Sequence, residues 1–450
     1  MMSGVLEKNN PSRRREPLLL CVLAGVVFLS RIPFLSPGAG NDPDAWRIVN
    51  TAREIAVTGT YSASRLPGFP VPEFAYSFLR TNSPLILNGI TALLSSIGFF
   101  FFVLSLKKIN GRNNYLAALA MAFTPAVYVN STTSMDYIWA LAFILVSFYY
   151  ILDEKPLAAG LLLGLAAGCR ITSTMFILPF SVIFYYAAGN AMKRIFLFSA
   201  AAVVAGVAMF IPVINKYGLN FFPHDDMPYP DIIVIAGRSS VGIWGISGLT
   251  VIVLFLVVRL MQKQKVDVGQ ALSMNKGVVA GSLLAIGLHI ILFLRFPYES
   301  GYLIPVVPFV ILLTGNISPK KHFVIVCIML IVSPFLCSLE MGGMHFAGPL
   351  IRDHERRAEK HEFIRNAIVY GKELPEESVI VSGPNLPQIQ TYLSDHPSEV
   401  KKYVYLLNEA ELQSRLNDGC KIFYLPGMNS YNLEIYGVDI GAVGKPILIP

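Results

Sequence analysis

Apolar residues run along the chain in long blocks divided by short polar stretches. The blocks have the length of a membrane-crossing helix, about 20 residues. Eleven are legible, near 17–35, 84–106, 115–130, 136–152, 156–169, 172–188, 195–214, 241–260, 278–295, 301–316 and 322–339. The stretch 156–188 is divided at Gly168-Cys169-Arg170, because one helix of that length would overrun a bilayer core of about 30 Å. Polar residues collect in three places, 36–83, 215–240 and 340–450. The first is far longer than an ordinary connector.

Basic residues sit between the blocks, as Arg13-Arg14-Arg15, Lys107-Lys108, Lys193-Arg194, Lys263 with Lys265, and Lys320-Lys321. With the N-terminus in the cytoplasm, eleven spans put every one of these clusters on the cytoplasmic side, as the positive-inside rule requires. The net charge of +7 is therefore spent on topology and gives no basic face for nucleic acid. Composition agrees: 54% of residues are hydrophobic and 14% charged, against about 25% charged in soluble domains. The first block reads as an anchor, since no small-x-small cleavage site follows it and Arg31 interrupts its tail. Cys21, Cys169, Cys327, Cys337 and Cys420 have no metal-ligand spacing and read as apolar thiols.

The predicted fold is thus a polytopic α-helical membrane protein of about eleven spans, N-terminus inside and C-terminus outside. Residues 1–339 would form the membrane domain with its long external loop 36–83, and 340–450 a small extracytoplasmic α/β domain. In the latter a charged helix is expected over 353–370 and further helices near 388–393 and 410–416. Strands are expected at 379–381, 403–407 and 422–425.

Candidate chemistry lies at the external ends. The first loop opens Gly40-Asn41-Asp42-Pro43-Asp44-Ala45-Trp46, and apolar positions Trp46, Val49, Ala52, Ile55 and Ala56 give an amphipathic helix expected to lie on the membrane surface. Asp42 and Asp44 would then stand at the water–lipid boundary, where a carboxylate can take a proton from an acceptor hydroxyl. Asp42 can equally be the cap of that helix. Arg65-Leu66-Pro67-Gly68-Phe69-Pro70 is a rigid turn with Arg65 as a phosphate partner or a plain loop residue. Asp136 follows at the next external turn. Arg170 and Arg295 end blocks on the outer side, where a forked guanidinium suits phosphate; Arg295 can also snorkel to headgroups. His289 reads as a packed residue. His224-Asp225-Asp226 reads as a solvated turn, since adjacent residues share one metal poorly.

Taken together these segments resemble the C-type-fold membrane glycosyltransferases, and within them the protein-mannosyltransferase and aminoarabinose-transferase-like branch. The resemblance lies in the basic N-terminus, one span and the acid-bearing loop with its surface helix. The Arg65–Pro70 turn, Asp136, the Gly160-to-Arg170 run with Pro179, and Glu299-Ser300-Gly301-Tyr302-Leu303-Ile304-Pro305 complete it. It implies a transferase in the bacterial inner membrane with an extracytoplasmic active site, moving a sugar from a polyprenyl-phosphate donor to a glycan, lipid or protein acceptor. Asp42 or Asp44 would be the catalytic base, and Arg65, Asp136, Arg170, Arg295, Glu299 and Tyr302 would bind substrate. Pro43 separates the two acids that the family usually places together, so either can be the base. Metal dependence varies within the family, which leaves a divalent cation open. The rival readings are a transporter or flippase for an amphipathic solute, which would carry its ionisable residues inside spans, and a non-catalytic scaffold of an envelope-assembly complex.

Overall fold

The computed structural model describes residues 11–109, 114–187, 189–219, 228–261, 276–340 and 343–425. Lys263, Lys265 and the His224-Asp225-Asp226 turn lie outside them. The eleven apolar blocks are largely helical, but the one near 115–130 is broken into two helices at Thr124, and those near 172–188 and 301–316 begin with 3₁₀ turns. In chain order the helices are α1 (Pro11–Arg31), α2 (Pro43–Thr58), α3 (Pro70–Leu79), α4 (Pro84–Lys108), α5 (Asn114–Phe123), α6 (Pro125–Asn130), α7 (Tyr137–Leu152) and α8 (Pro156–Cys169). After a 3₁₀ turn at Ile171–Phe176 come α9 (Ile177–Tyr186), α10 (Ala191–Tyr217), α11 (Ile232–Ser239), α12 (Val241–Met261) and α13 (Lys276–Arg295). A second 3₁₀ turn, Ser300–Val306, leads into α14 (Val307–Ile317) and then α15 (Lys320–Leu336).

Proline sets many of these starts. Pro43, Pro70, Pro84, Pro125 and Pro156 open α2, α3, α4, α6 and α8, where a fixed φ suits the helix and a missing N–H costs nothing. Five helical segments are long and apolar enough to cross a membrane: Glu16–Phe34, Pro84–Lys108, Ala191–Tyr217, Lys276–Arg295 and Ser300–Ile317. A sixth is the pair α11 and α12 if they form one span bent by 69°. The chain is therefore a multi-pass membrane protein. Glycine lets two of the helices close together: a Cβ at Gly164 of α8 would lie 2.3 Å from that of Ala205 on α10, the small-residue crossing usual in membranes.

Arg31, which breaks the first apolar block, is wholly buried. It donates to the Ala122 carbonyl at 2.6 Å and to Ser131 Oγ at 3.2 Å, with the Tyr128 ring 4.1 Å from its guanidinium. An interior guanidinium is tolerable only when satisfied in this way.

The helix expected on the membrane surface forms as α2, but its apolar face meets protein. Trp46, Val49, Ala52 and Ile55 are buried, and Trp46 donates to the Gly40 carbonyl at 2.9 Å. Amphipathic spacing identifies a face that must be covered; here the cover is the rest of the fold.

The C-terminal part begins with a hairpin that sequence periodicity does not reveal, β1 (Ser338–Glu340) against β2 (Gly343–His345). Then come α16 (Pro349–Glu373), β3 (Ser378–Val381), α17 (Leu386–Tyr392), α18 (Pro397–Val400), β4 (Tyr403–Val404), α19 (Glu409–Asn417) and β5 (Lys421–Tyr424). The last three strands form a parallel sheet in the order β4-β3-β5. Ile364, Ile380, Ile389, Leu412 and Ile422 build its own apolar cluster. On the side facing the membrane helices, α17 packs on α2, where Asn50 donates to the Pro387 carbonyl at 2.8 Å and the Trp46 and Tyr392 rings meet edge to face at 5.5 Å.

Candidate active site

The site starts at the cap of α2. Asp42 has extended backbone (φ −70°, ψ 129°) and accepts from the Asp44 N–H at 2.8 Å, so it is the N-cap, satisfying one orphan donor of the first turn. Capping uses only one of its oxygens. Asp44, in the first turn, accepts from Arg47 at 2.9 Å and from Arg65 Nε at 2.9 Å.

Arg65 reaches further. Its second donor meets Asp136 Oδ1 at 3.1 Å, and the other Asp136 oxygen accepts from Arg170 at 2.5 Å. Two carboxylates and two guanidiniums thus alternate in one chain, Asp44, Arg65, Asp136, Arg170. The Asp136 carboxylate is fully enclosed. A buried charge without a partner costs several kcal/mol, so an alternating network is the arrangement that tolerates this burial. Aromatic rings wall it in. Phe69 lies 4.0 Å from the Arg65 guanidinium, and Tyr137 and Tyr302 lie 4.1 and 5.1 Å from that of Arg170.

Asp42 faces the other way, into a cavity of about 490 Å³. Its lining mixes apolar Pro125, Ala126, Val129, Val241 and Ile246 with polar Asn41, Asp42, Arg238, Glu299, Asp353 and Arg356. Burial, then the neighbouring Asp44, raises the Asp42 carboxyl above the ordinary carboxylate range. Glu299 opens onto the cavity, yet surrounding protein thins its hydration. That desolvation, followed by repulsion from Asp42, lifts it to about 7. Carboxyls raised in this way beside a cleft are suited to proton transfer.

The C-terminal helix α16 contributes to this cavity through Asp353 and Arg356. It is pinned there by Arg357, which is buried and donates to the carbonyls of Phe34 at 2.9 Å and Thr132 at 3.0 Å while ion-pairing with Asp353 at 2.9 Å. Asn41 donates to Asp353 at 2.7 Å, and Lys360 to the Asn41 carbonyl at 3.2 Å.

The fold has a counterpart among solved structures. ArnT from Cupriavidus metallidurans in the apo state aligns with a TM-score of 0.54 at 12% identity, over 97% of this chain and 90% of that one. The fold is that of ArnT. The C-type glycosyltransferase fold anticipated from sequence is therefore the one the chain adopts. A structure of the same protein bound to undecaprenyl phosphate aligns with a TM-score of 0.49 at 16% identity, over 86% of this chain and 75% of that one. No protein-family profile and no curated protein sequence matches the chain.

Within this ArnT-like fold the sequence-derived residues divide into three sets. Asp44, Arg65, Asp136, Arg170 and Tyr302 come together in the network, and Asp42 and Glu299 share the cavity. Arg295 stands outside both: it is exposed, with its guanidinium 4.9 Å from the Phe296 ring. His289 is packed as expected, buried against Phe176 and hydrogen-bonded to the Ala285 carbonyl at 2.9 Å. Among the described residues no three His, Cys, Asp or Glu side chains converge as a metal-ligand group. Tyr137, Arg238, Asp353 and Arg356 escape the sequence reading. Tyr137 adjoins Asp136, and the other three lie within polar segments whose charge density was visible while their orientation was not.

Proposed function

We propose that this chain is a glycosyltransferase of the bacterial inner membrane, moving a sugar from a polyprenyl-phosphate donor to an extracytoplasmic acceptor, with Asp42 as base. One observation carries the reading: Asp42 sits where an ion-pair network meets a cavity lined by both apolar and charged residues. A lipid-linked sugar has both characters. The apolar residues of α6 and α12 suit the lipid next to its phosphate. Arg238 and Arg356 can donate to the phosphate oxygens, the usual task of guanidinium groups.

In the reaction the free oxygen of Asp42 takes the proton from an acceptor hydroxyl. The acceptor's own oxygen attacks the anomeric carbon as the bond from carbon to phosphate oxygen breaks, and the electron pair leaves on polyprenyl phosphate. A single displacement inverts the anomeric centre. Asp44 is already shared between Arg47 and Arg65, so its part is to hold the α2 start against the network. Arg170, engaged by Asp136, braces the same network, and Arg295 meets lipid headgroups. In this reading the chain makes eleven spans with the N-terminus in the cytoplasm and the α16-to-β5 region outside.

The test is comparative mass spectrometry of glycolipids and glycoproteins from a strain lacking the gene, complemented with wild type or with Asp42→Asn. The expected result is one sugar-bearing species that is lost, then restored by wild type alone. Identical profiles in all strains would refute the proposal.

A further inference from the structure

We propose that Glu73 is a positioning residue for the transfer reaction, acting as a clasp that fixes the segment carrying Arg65 between Asp44 and Asp136. The inference rests on the transferase reading above, since it assigns a role within that site.

Glu73 lies in the first turn of α3 with no exposed surface. Its Oε2 accepts from the Tyr61 hydroxyl at 2.6 Å and from the Phe69 N–H at 3.2 Å; its Oε1 accepts from the Ser64 N–H at 2.8 Å. Ser64 and Phe69 bracket Arg65, so one carboxylate ties the two ends of the segment that presents the guanidinium. The segment closes on itself as well, the Gly68 N–H donating to the Arg65 carbonyl at 2.8 Å. Gly68 has φ +94°, and a Cβ there would come within 2.8 Å of the Tyr61 hydroxyl oxygen. Phe69, whose amide Glu73 holds, supplies the ring beneath Arg65.

The chemistry of the acid fits this task and no simpler one. Among the described residues no cation pairs with Glu73; its partners are three neutral donors. A surface acid is not buried for a salt bridge it does not make. A carboxylate, with acceptor capacity on both oxygens, can take all three donors, whereas an amide turns an NH₂ group toward at least one of them. Substitution should therefore loosen segment 61–69 and let Arg65 drift from its two acids.

The experiment compares full-length wild type with Glu73→Gln, Arg65→Ala and the double variant in detergent. Transfer is measured with a panel of polyprenyl-phosphate pentoses and hexoses as donors and an envelope extract of the deletion strain as acceptor, and amide hydrogen exchange is followed in parallel. Misplacement of about 1 Å can cost roughly a hundredfold in rate, so Glu73→Gln should lower kcat by about one to two orders of magnitude with little change in KM. Exchange should quicken in 61–69 and not in the membrane helices. Because Glu73 acts through Arg65, the double variant should be no slower than Arg65→Ala alone. Multiplying losses, or a Glu73→Gln enzyme within about twofold of wild type, would overturn the proposal. Should Glu73→Gln fail to fold, Tyr61→Phe removes one donor only and should give the same exchange pattern with a smaller rate loss; unchanged exchange there would overturn the role. A wild type silent on the whole panel would sink the transferase reading, and with it the role of Glu73 in transfer.

Discussion

Arg170 donates to Asp136 across 2.5 Å, although 34 residues separate them in sequence and the Asp136 carboxylate is wholly enclosed. The opposite oxygen of the same carboxylate meets Arg65. Asp136 thus joins the loop between α2 and α3 to the turn after α8, and its charge balances cations from both.

Asp136→Ala should therefore be among the most destabilising single changes in the chain. Removing one partner from a buried ion pair costs about 3–5 kcal/mol, because the remaining charge is left without compensation. Thermal unfolding in detergent should show a large drop for Asp136→Ala and a smaller one for Asp136→Asn, which still offers Arg170 an acceptor. Equal midpoints for all three proteins would contradict the network.

Asp42 and Asp44 should separate cleanly. Asn is as good a helix cap as Asp, so Asp42→Asn should keep its thermal midpoint while losing roughly 10²–10⁴ in kcat, the usual range for a general base. Asp44→Asn breaks two ion pairs, so it should lower the midpoint and reduce activity less. The reverse order in kcat would make Asp44 the base.

Glu299 sets an expected pH dependence. Its carboxyl is raised to about 7, so between its ordinary value and pH 7 the folded protein holds a proton that the unfolded chain releases. Stability from this group is present at low pH and lost as pH rises toward 7. Above pH 7 its new negative charge faces the cavity and opposes an anionic donor. The kcat/KM for donor should fall on that limb, and Glu299→Gln should flatten it. An unchanged profile in the variant would remove Glu299 from the site.

Helix α16 should matter to substrate binding through Arg356. A lost hydrogen bond to a charged group is worth about 1.5–3 kcal/mol, so Arg356→Ala should raise the donor KM by roughly ten- to a hundredfold with little effect on folding. Arg357→Ala should behave differently, freeing α16 from the Phe34 and Thr132 carbonyls. It should then speed limited proteolysis between α15 and α16. Unchanged donor KM in Arg356→Ala would show that the α16 wall does not bind donor.

Much of the fold was legible because apolar blocks are long and their punctuation is chemical. Pro84 and Pro156 mark helix starts in the sequence and in the structure alike. The strands at 379–381 and 422–425 were readable as short apolar runs in polar surroundings. The hairpin 338–345 was not, since its strands are three residues each and carry no period. Amphipathicity located α2 but could not say that protein, not lipid, covers it.

The site divides along the same line. Asp42, Asp44, Arg65, Asp136 and Arg170 could be nominated because their order along the chain, between the apolar blocks, resembles that of the transferase family. Their alternation into one network could not be foreseen, since Arg65 and Asp136 are 71 residues apart. Arg238 and Arg356 were hidden for a related reason. Each stands in a segment rich in polar residues, and only the three-dimensional path turns it toward the cavity while Arg295 faces away.

The most direct measurement is transfer by the purified full-length chain in liposomes, using the polyprenyl-phosphate pentose and hexose panel as donors, an envelope extract of the deletion strain as the source of acceptor, and product analysis by mass spectrometry, with Asp42→Asn alongside. The expected result is a glycosylated product and free polyprenyl phosphate in equal amounts from wild type, and neither from the variant. Product formation at the wild-type rate by a folded Asp42→Asn protein would contradict the assignment of Asp42 as the base.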